Sequence, residues 1–432
     1  MDTIVALASA PGLAGIAVIR LSGPEAFAVA GQLHNKADQA IMNPRAIQYG
    51  DIELIDDAMI VAFPGPHSYT GEDVVEFFSH GNPFIVGQIL EQAIMHGARI
   101  AEPGEFTKRA YLNNRLDLVQ AEAVGDLIHA TSTQALELAR TQMGGAWSHE
   151  VIEVEKQVLA IMAHASAWLD FGEEDISDYT GQNVAEELDP IIKRIETWVA
   201  GAAGAQIIRD GFKIALVGLP NAGKSSLLNA LVGFDRAIVT DVAGTTRDTI
   251  EHQLHINGYL IQLIDTAGLH DSDDKVEAIG IERTKSAAAS AHAILVLRAP
   301  DQLAEELVKD LPENVPQLQI LTKSDLGDGD ESIKTSTQTG EGIDELRAKL
   351  GELAANAAHA ESAITANTRQ LAALNQARDE LIKAREAAKS DMPLDLLSVH
   401  LSAAADALAS VTGTHTSEAM LDAVFSTFCI GK

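Results

Sequence analysis

Apolar positions along the first 118 residues change period several times. TIVALA and GIAVIRLSG are short apolar runs of strand type on either side of the loop PGLAG, and DDAMIVAF and EDVVEFFSHG predict two further strands. PEAFAVAGQL predicts a helix with Pro24 in its first turn, and NPFIVGQILEQAIMHGA spaces Ile, Leu and Met at helical intervals. An α+β domain with its own core is expected over residues 1–118.

From about Val119 the texture changes. AEAVGDLIHATSTQALELARTQMGG and HEVIEVEKQVLAIMAHASAWLDF carry long 3.6-residue periodicity with few breakers, and ELDPIIKRIETWVAG predicts a third helix ending near Gly201. The same texture returns in SAITANTRQLAALNQARDELIKAREAAKS and LDLLSVHLSAAADALASVTG. Neither stretch alone can bury all its apolar stripes, so one helical bundle built from 119–209 and 354–432 is the economical solution. The segment between, 210–353, alternates strands with helices as a parallel α/β sheet demands, with FKIALVG, YLIQLIDTAG, HAILVLRA and QLQILTKSD as strands. The expected architecture is multidomain: an α+β N-terminal domain, an α-helical bundle, and an inserted P-loop α/β domain of Ras-like type.

Composition narrows the function classes. The chain of 432 residues is 46% apolar, which suits soluble domains, and no apolar run reaches the roughly 18 residues of a membrane span. MDTIVALASAPG lacks the basic start of a secretory signal, and a single cysteine rules out an intramolecular disulfide, so a cytoplasmic protein with no membrane partner is expected. Against 31 Lys and Arg stand 62 Asp and Glu, a formal charge of −31, which argues against general nucleic-acid binding. Arg99, Lys108, Arg109 and Arg115 read as scattered surface charge, a local basic patch being the alternative.

The chemistry begins at GLPNAGKS, Gly218 to Ser225, which fits G-x-x-x-x-G-K-[ST] between a strand and a helix. Its backbone N–H groups, from Asn221, Ala222 and Gly223 through Lys224, Ser225 and Ser226, are expected to cradle a polyphosphate; Lys224 adds a point charge and Ser225 ligates Mg²⁺. DVAGTTRD brings Asp241, Val242, Ala243, Gly244, Thr245 and Thr246, with Thr246 expected to sense Mg²⁺ and the γ-phosphate. DTAG, from Asp265 through Thr266 and Ala267 to Gly268, ends a strand, with Asp265 beside Mg²⁺ and the Gly268 N–H near the γ-phosphate. TKSD supplies Thr322, Lys323 and Asp325, whose carboxylate can accept from both N1–H and the exocyclic amine of guanine; adenine lacks that donor pair. STQTGEG, opening on Ser336 and Thr337, is placed to cap the base. Five such loops in this order point to a GTPase whose substrate is GTP.

Two departures from common GTPases matter. Thr322 stands where Asn is usual, keeping a hydroxyl, and Leu269 stands where Ras-like enzymes carry a Gln that orients water. Leucine neither donates nor accepts, so another group must position the water. Glu277, in the acidic stretch HDSDDKVEAIG, is the candidate catalytic acid, with a solvated switch loop as the alternative. Asn221 offers a carbonyl oxygen inside the phosphate loop that, with backbone carbonyls of the Thr240–Thr245 loop, can hold K⁺ against the phosphates. A unit charge about 5 Å away at an effective dielectric of ~20 contributes up to roughly 3 kcal/mol, about two orders of magnitude in rate.

The chain as a whole resembles the tRNA-modification GTPase MnmE (TrmE) family, from Asp2 to Lys432. The resemblance is carried by IVALASAPGLAGIAVIRLSG, FPGPHSYTGEDVVEF, AEPGEFTKRAYLNNRLDLVQAEA, the GTPase loops and FCIGK. It implies a K⁺-activated homodimeric GTPase whose two G domains pair. With an FAD-dependent partner (GidA/MnmG), such a protein installs an aminomethyl or carboxymethylaminomethyl group at C5 of the wobble uridine of certain tRNAs. It also implies a folate one-carbon unit, 5-formyl- or methylene-tetrahydrofolate, in the N-terminal domain. The family's folate contacts fall on Arg20, Glu76, Arg115 and Lys432, its K⁺ contacts on Asn221, Thr240, Val242 and Thr245, and its catalytic acid on Glu277. Arg115 replaces a frequent Lys, and Leu13 lies in a loop the family often fills with small or basic residues.

Cys429 falls where the family has a functional cysteine; without that match it reads as an inert thiol near the chain end. DFGEEDISD reads as a solvated interhelical loop and HQLH as a half-exposed strand rather than cation sites. The alternative function is an RNA-docking GTPase that assists ribosome assembly, a class expected to carry a basic appendage that this chain lacks.

Overall fold

The computed structural model describes residues 2–52, 54–171, 181–233, 251–265, 287–302, 311–358, 366–390 and 394–432, with side chains at 167–171, 251, 265 and 394–396 outside that description. The chain divides into two compact units: Met1–Ile128, Arg140–Ile191 and Ala373–Lys432 form the first, and His129–Ala139 with Ile192–Ala372 form the second.

The first unit is built on a six-stranded sheet. Its strands are β1 (Ile4–Leu7), β2 (Ala14–Ser22), β3 (Gln48–Ile52), β4 (Asp56–Phe63), β5 (Val74–Gly81) and β6 (Arg99–Ile100), ordered β3-β4-β5-β2-β1-β6. All neighbours are antiparallel except β1 and β6. Alternate residues such as Ile19, Leu21, Val75 and Phe77 point to one face, where helices Ala26–Leu33, Ala37–Met42 and Pro83–Met95 bury them. Phe77 is wholly buried there, a contribution of roughly 1.5–3 kcal/mol. Ile4, Ala6, Ala101 and Phe106 pack together as a second small cluster. β3 and β6 carry too few apolar residues to stand out in the sequence. Pro24 lies before the first helix, whose cap is Glu25, rather than inside its first turn.

The helices of this unit start where their caps dictate. Asp117 accepts from the Gln120 N–H at 2.8 Å while Gln120 accepts from the Asp117 N–H at 3.1 Å, a reciprocal box opening helix Leu118–His129. Asn82 caps Pro83–Met95 and Ser417 caps Glu418–Phe425 through side-chain oxygens. Helix Ala146–Phe171 packs along Leu394–Thr412. The periodic run after Val119 is two helices, not one: Ser132 Oγ accepts from the Ala135 N–H at 3.1 Å and starts a new helix, Thr133–Met143.

The second unit carries another six-stranded sheet: β7 (Phe212–Gly218), β8 (Glu251–Ile256), β9 (Tyr259–Asp265), β10 (Ala293–Arg298), β11 (Gln317–Leu321) and β12 (Ile333–Lys334). The order is β12-β11-β10-β7-β9-β8, parallel throughout except for β8, which pairs antiparallel with β9. The sheet is therefore mixed, a correction to the all-parallel expectation: the Asn257-Gly258 turn joins β8 and β9 as a hairpin. FKIALVG is apolar but for Lys213 because both faces are covered, Ile214 and Leu216 on one side and Ala215 and Val217 on the other. HQLH lies on β8 as expected, with Leu254 buried and both histidines half-buried.

Helix Gly181–Asp210 also outruns its expected end near Gly201. Ile207 and Ile208, beyond that glycine, pack against the second unit's core, which supports the extra turns against Gly's low helix propensity. DFGEEDISD lies almost wholly outside the described residues.

Candidate functional site

Helix Lys224–Gly233 follows β7 through the loop Leu219–Gly223, so its N-terminus opens at the carboxyl edge of the sheet, where open α/β sheets bind ligands. Asn221 holds φ +65° and Gly223 φ +82°, which curls the loop back on itself. Lys224 is buried, and its Nζ donates to the carbonyls of Gly218 at 2.6 Å and Leu219 at 3.0 Å. Ser225 and Ser226 are exposed in the first helical turn. The Ser225 hydroxyl and the Asn221 side-chain oxygen are hard donors of the kind Mg²⁺ and K⁺ take.

The loops after β11 and β12 meet this one. Thr322 Oγ1 donates toward the Ala222 carbonyl at 2.7 Å, and Lys323 Nζ donates to the Asn221 carbonyl at 2.8 Å. Ser336 is fully buried; its hydroxyl donates to Asp325 Oδ1 at 2.6 Å and accepts from the N–H groups of Gln338 and Thr339 at 3.3 Å each. One oxygen of Asp325 is thus held by a fixed donor, and the carboxylate keeps further lone pairs for a ligand. A cavity of about 180 Å³ lies between the loops, lined by Gly223, Ser226, Thr322, Lys323, Asp325 and Thr337 among others. Six of the residues assigned to GTP from the sequence therefore line one cavity, with Ser336 supporting Asp325 from below.

Within the first unit, a second constellation surrounds Arg20. Its guanidinium lies between two rings, 5.2 Å from the centroid of Tyr69 and 5.5 Å from that of Phe106, and its Nε donates to Glu76 Oε1 at 2.7 Å. Register explains the pairing: Arg20 on β2 is directly opposite Glu76 on β5. The segment after Glu418–Phe425 docks beside them. Phe425 and Phe428 pack on Leu118, Ala121 and Leu421, and the Cys429 carbonyl accepts from the Gly104 N–H at 3.4 Å. Gly431 holds φ +95°, and a Cβ there would fall 2.1 Å from the Leu7 carbonyl oxygen, so only glycine lets the tail lie this close to β1. Lys432 follows at once. Burial, then the Arg20 charge, push its ammonium below the usual lysine range, with Glu76 opposing. The Cys429 side chain is exposed.

Two family models match: "MnmE helical domain" over residues 118–429 and "GTP-binding protein TrmE N-terminus" over residues 3–115. The tRNA modification GTPase MnmE of Bordetella bronchiseptica is 42% identical over 448 residues, covering 99% of each chain. This chain belongs to the MnmE family of tRNA modification GTPases. The MnmE proteins of Marinobacter nauticus (39% identical, covering 100% of this chain and 99% of that one) and Neisseria meningitidis serogroup C (40%, with the same coverage) are similar to it as well. Among solved structures, the G domain of the T. maritima FeoB iron transporter is 26% identical, covering 33% of this chain and 98% of that chain, with a TM-score of 0.25.

The chain is multidomain, joining an α+β N-terminal part, helices and a P-loop G domain. Several residues assigned to the site from the sequence are not among those in the two constellations. Thr240, Asp241, Val242, Ala243, Gly244, Thr245, Thr246, Thr266, Ala267, Gly268 and Glu277 lie outside the described residues, and Asp265 is described only as the last residue of β9. Arg115 rests its stem near Gly71, and no hydrogen bond joins it to Arg20 or Glu76 among the described residues.

Three of the four cations in the alternative basic patch are paired with carboxylates. Arg99 pairs with Asp2 and Glu105, Lys108 with Asp422, and buried Arg109 with Asp2, Glu72 and Glu105. Hydrogen bonds from Arg99 hold the Asp2 carboxyl down at about 2. These arginines tie the chain start, the β4–β5 loop and helix Glu105–Leu112 together and leave little free positive charge. Tyr69, Phe106 and Gly431 escaped the sequence reading. Tyr69 lies within FPGPHSYTGEDVVEF, and only the pairing of β2 with β5 reveals what it stacks on.

Proposed function

We propose that this chain hydrolyses GTP with Mg²⁺ and K⁺ and works as a homodimer with an FAD-dependent partner. Its product is an aminomethyl or carboxymethylaminomethyl group at C5 of the wobble uridine of certain tRNAs, made with a tetrahydrofolate one-carbon unit in the cytoplasm. The observation that carries the guanine part is Asp325, anchored by Ser336 in a cavity shared with the phosphate loop. A carboxylate there accepts from N1–H and the C2 amine of guanine, and adenine offers no such pair. Lys224, Ser225 and the helix N-terminus meet the phosphates, and Ser225 with Thr246 would hold Mg²⁺. Potassium, held by Asn221 with Thr240, Val242 and Thr245, would supply the positive charge that an arginine finger provides elsewhere. Glu277 orients the attacking water, a task Leu269 cannot perform.

The Arg20 constellation fits a folate. Arg20 and Lys432 offer two cations, Glu76 offers an acceptor for the N–H groups of a pterin ring, and Arg115 adds a charge from the neighbouring loop. Cys429 stands in the same docked tail as a candidate acid, base or nucleophile for the one-carbon transfer. The domain division that goes with this reading is 1–118 for folate and dimerisation, 119–209 with 354–432 for the bundle, and 210–353 for the G domain. Mass spectrometry of wobble nucleosides in tRNA from cells lacking the protein tests it. Loss of the C5 modification is expected, whereas unchanged wobble uridines would favour the ribosome-assembly alternative. GTP turnover in K⁺ against Na⁺ tests the cation role, with equal slow rates counting against Asn221.

A further inference from the structure

We propose that Gln302 is a positioning residue for polyphosphate binding: its side-chain amide holds the Pro220 carbonyl of the phosphate loop and so aims the Asn221 N–H at the nucleotide. This rests on the reading of that loop as the nucleotide's phosphate cradle and adds a residue that no sequence motif marks. Successive carbonyls of the loop each accept from a side chain. Lys224 Nζ serves Gly218 and Leu219, Lys323 Nζ serves Asn221, and Thr322 Oγ1 serves Ala222. The Pro220 carbonyl between them accepts from Gln302 Nε2 at 3.0 Å. A carbonyl so engaged is not free to turn toward a phosphate, which it would repel, and the loop keeps its N–H groups for the anion. Lys224, Lys323 and Thr322 stand in the phosphate and base loops themselves; Gln302 comes from the turn that follows β10.

The Pro220 oxygen matters because of the group across its peptide bond. The Pro220–Asn221 peptide is planar and trans, so fixing the oxygen fixes the Asn221 N–H on the opposite side. That N–H makes no hydrogen bond among the described residues. The ring of Pro220 sets φ but leaves ψ free, so the peptide can still turn unless its oxygen is held. The amide that holds it is itself placed in advance. Gln302 Oε1 accepts from the Ala299 N–H at 3.3 Å; that N–H can only donate and the Pro220 carbonyl can only accept, so the amide has one orientation. The Gln302 N–H closes the turn on the Ala299 carbonyl at 3.0 Å, and Arg298 Nη1 donates to the Gln302 carbonyl at 3.0 Å. Arg298 is anchored in turn by Glu331, whose Oε1 accepts from its Nε and whose side chain is 6% exposed. A Cβ at Gly329 would collide with both that carboxylate and the guanidinium, so a glycine there admits the pair. The amide thus reaches Pro220 from a fixed base, which lowers the ordering cost of a bond partly open to water.

The test uses the full-length protein with Mg²⁺ and K⁺, fluorescently labelled GDP, unlabelled guanosine and the pair Gln302→Met and Gln302→Glu. Methionine keeps the length and removes the donor; glutamate keeps the shape and sets an acceptor against an acceptor. Both are expected to raise the GDP off-rate and the KM for GTP about fivefold, the loss of one hydrogen bond, with kcat changed less than about twofold. Guanosine, which carries no phosphate, should bind both variants as well as the wild type, and the melting temperature without nucleotide should be the same in all three. Removing the buried pair whole, Arg298→Met with Glu331→Met, leaves no bare charge. It should raise the off-rate of the wild type and add less than about twofold to that of Gln302→Met, because it acts through Gln302. The inference is overturned if Gln302→Met releases GDP at the wild-type rate, if guanosine binding falls by the same factor, if the loss follows a lower nucleotide-free melting temperature, or if the paired substitution adds its full effect to that of Gln302→Met. Wild-type protein that holds GDP no more tightly than guanosine would overturn the phosphate-loop reading and this inference with it; tight wild-type GDP binding beside an unchanged Gln302→Met overturns the inference alone.

Discussion

Replacing Gly431 with alanine tests whether the docked tail builds the Arg20 constellation. Two effects add. At φ +95° an alanine stores backbone strain of about 1–3 kcal/mol. Its Cβ would also fall 2.1 Å from the Leu7 carbonyl oxygen and 2.9 Å from the Ala8 Cα, both backbone atoms that cannot swing aside. Ordinary contact needs more than an ångström of extra room, so the tail must leave β1. The strain alone lowers docking by about 5- to 150-fold, and the clash adds to it. Hydrogen exchange reads this directly: the amides of Gly104 and Lys432, which donate to the Cys429 carbonyl in the docked state, should lose protection while those of β2 and β5 keep it. The Lys432 ammonium should return to the ordinary lysine range as it leaves Arg20 and its burial behind. GTP turnover by the isolated protein should persist while tRNA modification falls. An alanine variant with wild-type protection at Gly104 and Lys432 would refute the reasoning, because the tail would then be docked by something other than this close approach.

Two further predictions concern the first unit. Arg109→Met leaves Glu72 and Glu105 without their buried cation and should destabilise the protein by about 3–5 kcal/mol in urea titration; a loss under 1 kcal/mol would mean that Arg99 alone neutralises the cluster. His34 is buried, accepts from the Lys36 N–H at Nδ1 and donates from Nε2 to the Ala58 carbonyl, and burial holds its pKa below the ordinary 6.5. Because the unfolded chain binds the proton more readily, stability should be fully present above 6.5 and should decline as pH falls below it. His34→Gln should flatten that decline in melting curves, and a difference between the two proteins that ignores pH would count against the assignment.

How much of this was legible in the sequence depended on whether backbone or side chain made the signal. The phosphate loop could be read because its curled backbone demands Gly223 and its chemistry demands Lys224 and Ser225, three residues adjacent in the chain. Asp325 and Ser336 were each assigned to the base from the sequence, but their hydrogen bond joins residues eleven positions apart and only folding brings it about. The central strands β7 and β10 could be read because burial on both faces makes them nearly all apolar. The edge strands β3 and β6 could not: β3 is half-exposed with Gly50 and Asp51 in it, and β6 has two residues. Charge needed the fold in a different way. Arg99, Lys108 and Arg109 cluster in sequence, but their carboxylate partners Asp2, Glu72 and Asp422 come from distant segments, so the patch neutralises itself. Local residue types fixed the polyphosphate chemistry, while the support around it came from contacts between distant residues.

The most direct measurement on the central claim, that Asp325 reads guanine, is the nucleotide preference of Asp325→Asn. An amide in that position still offers an oxygen to N1–H but presents an N–H where the carboxylate accepted from the C2 amine. It should therefore lose about 100-fold or more in affinity for GTP, the loss of charge-assisted bonds of roughly 1.5–3 kcal/mol each, and gain affinity for xanthosine triphosphate, whose C2 carbonyl accepts. GTP held as tightly as by the wild type, with no gain for the xanthine nucleotide, would contradict the account.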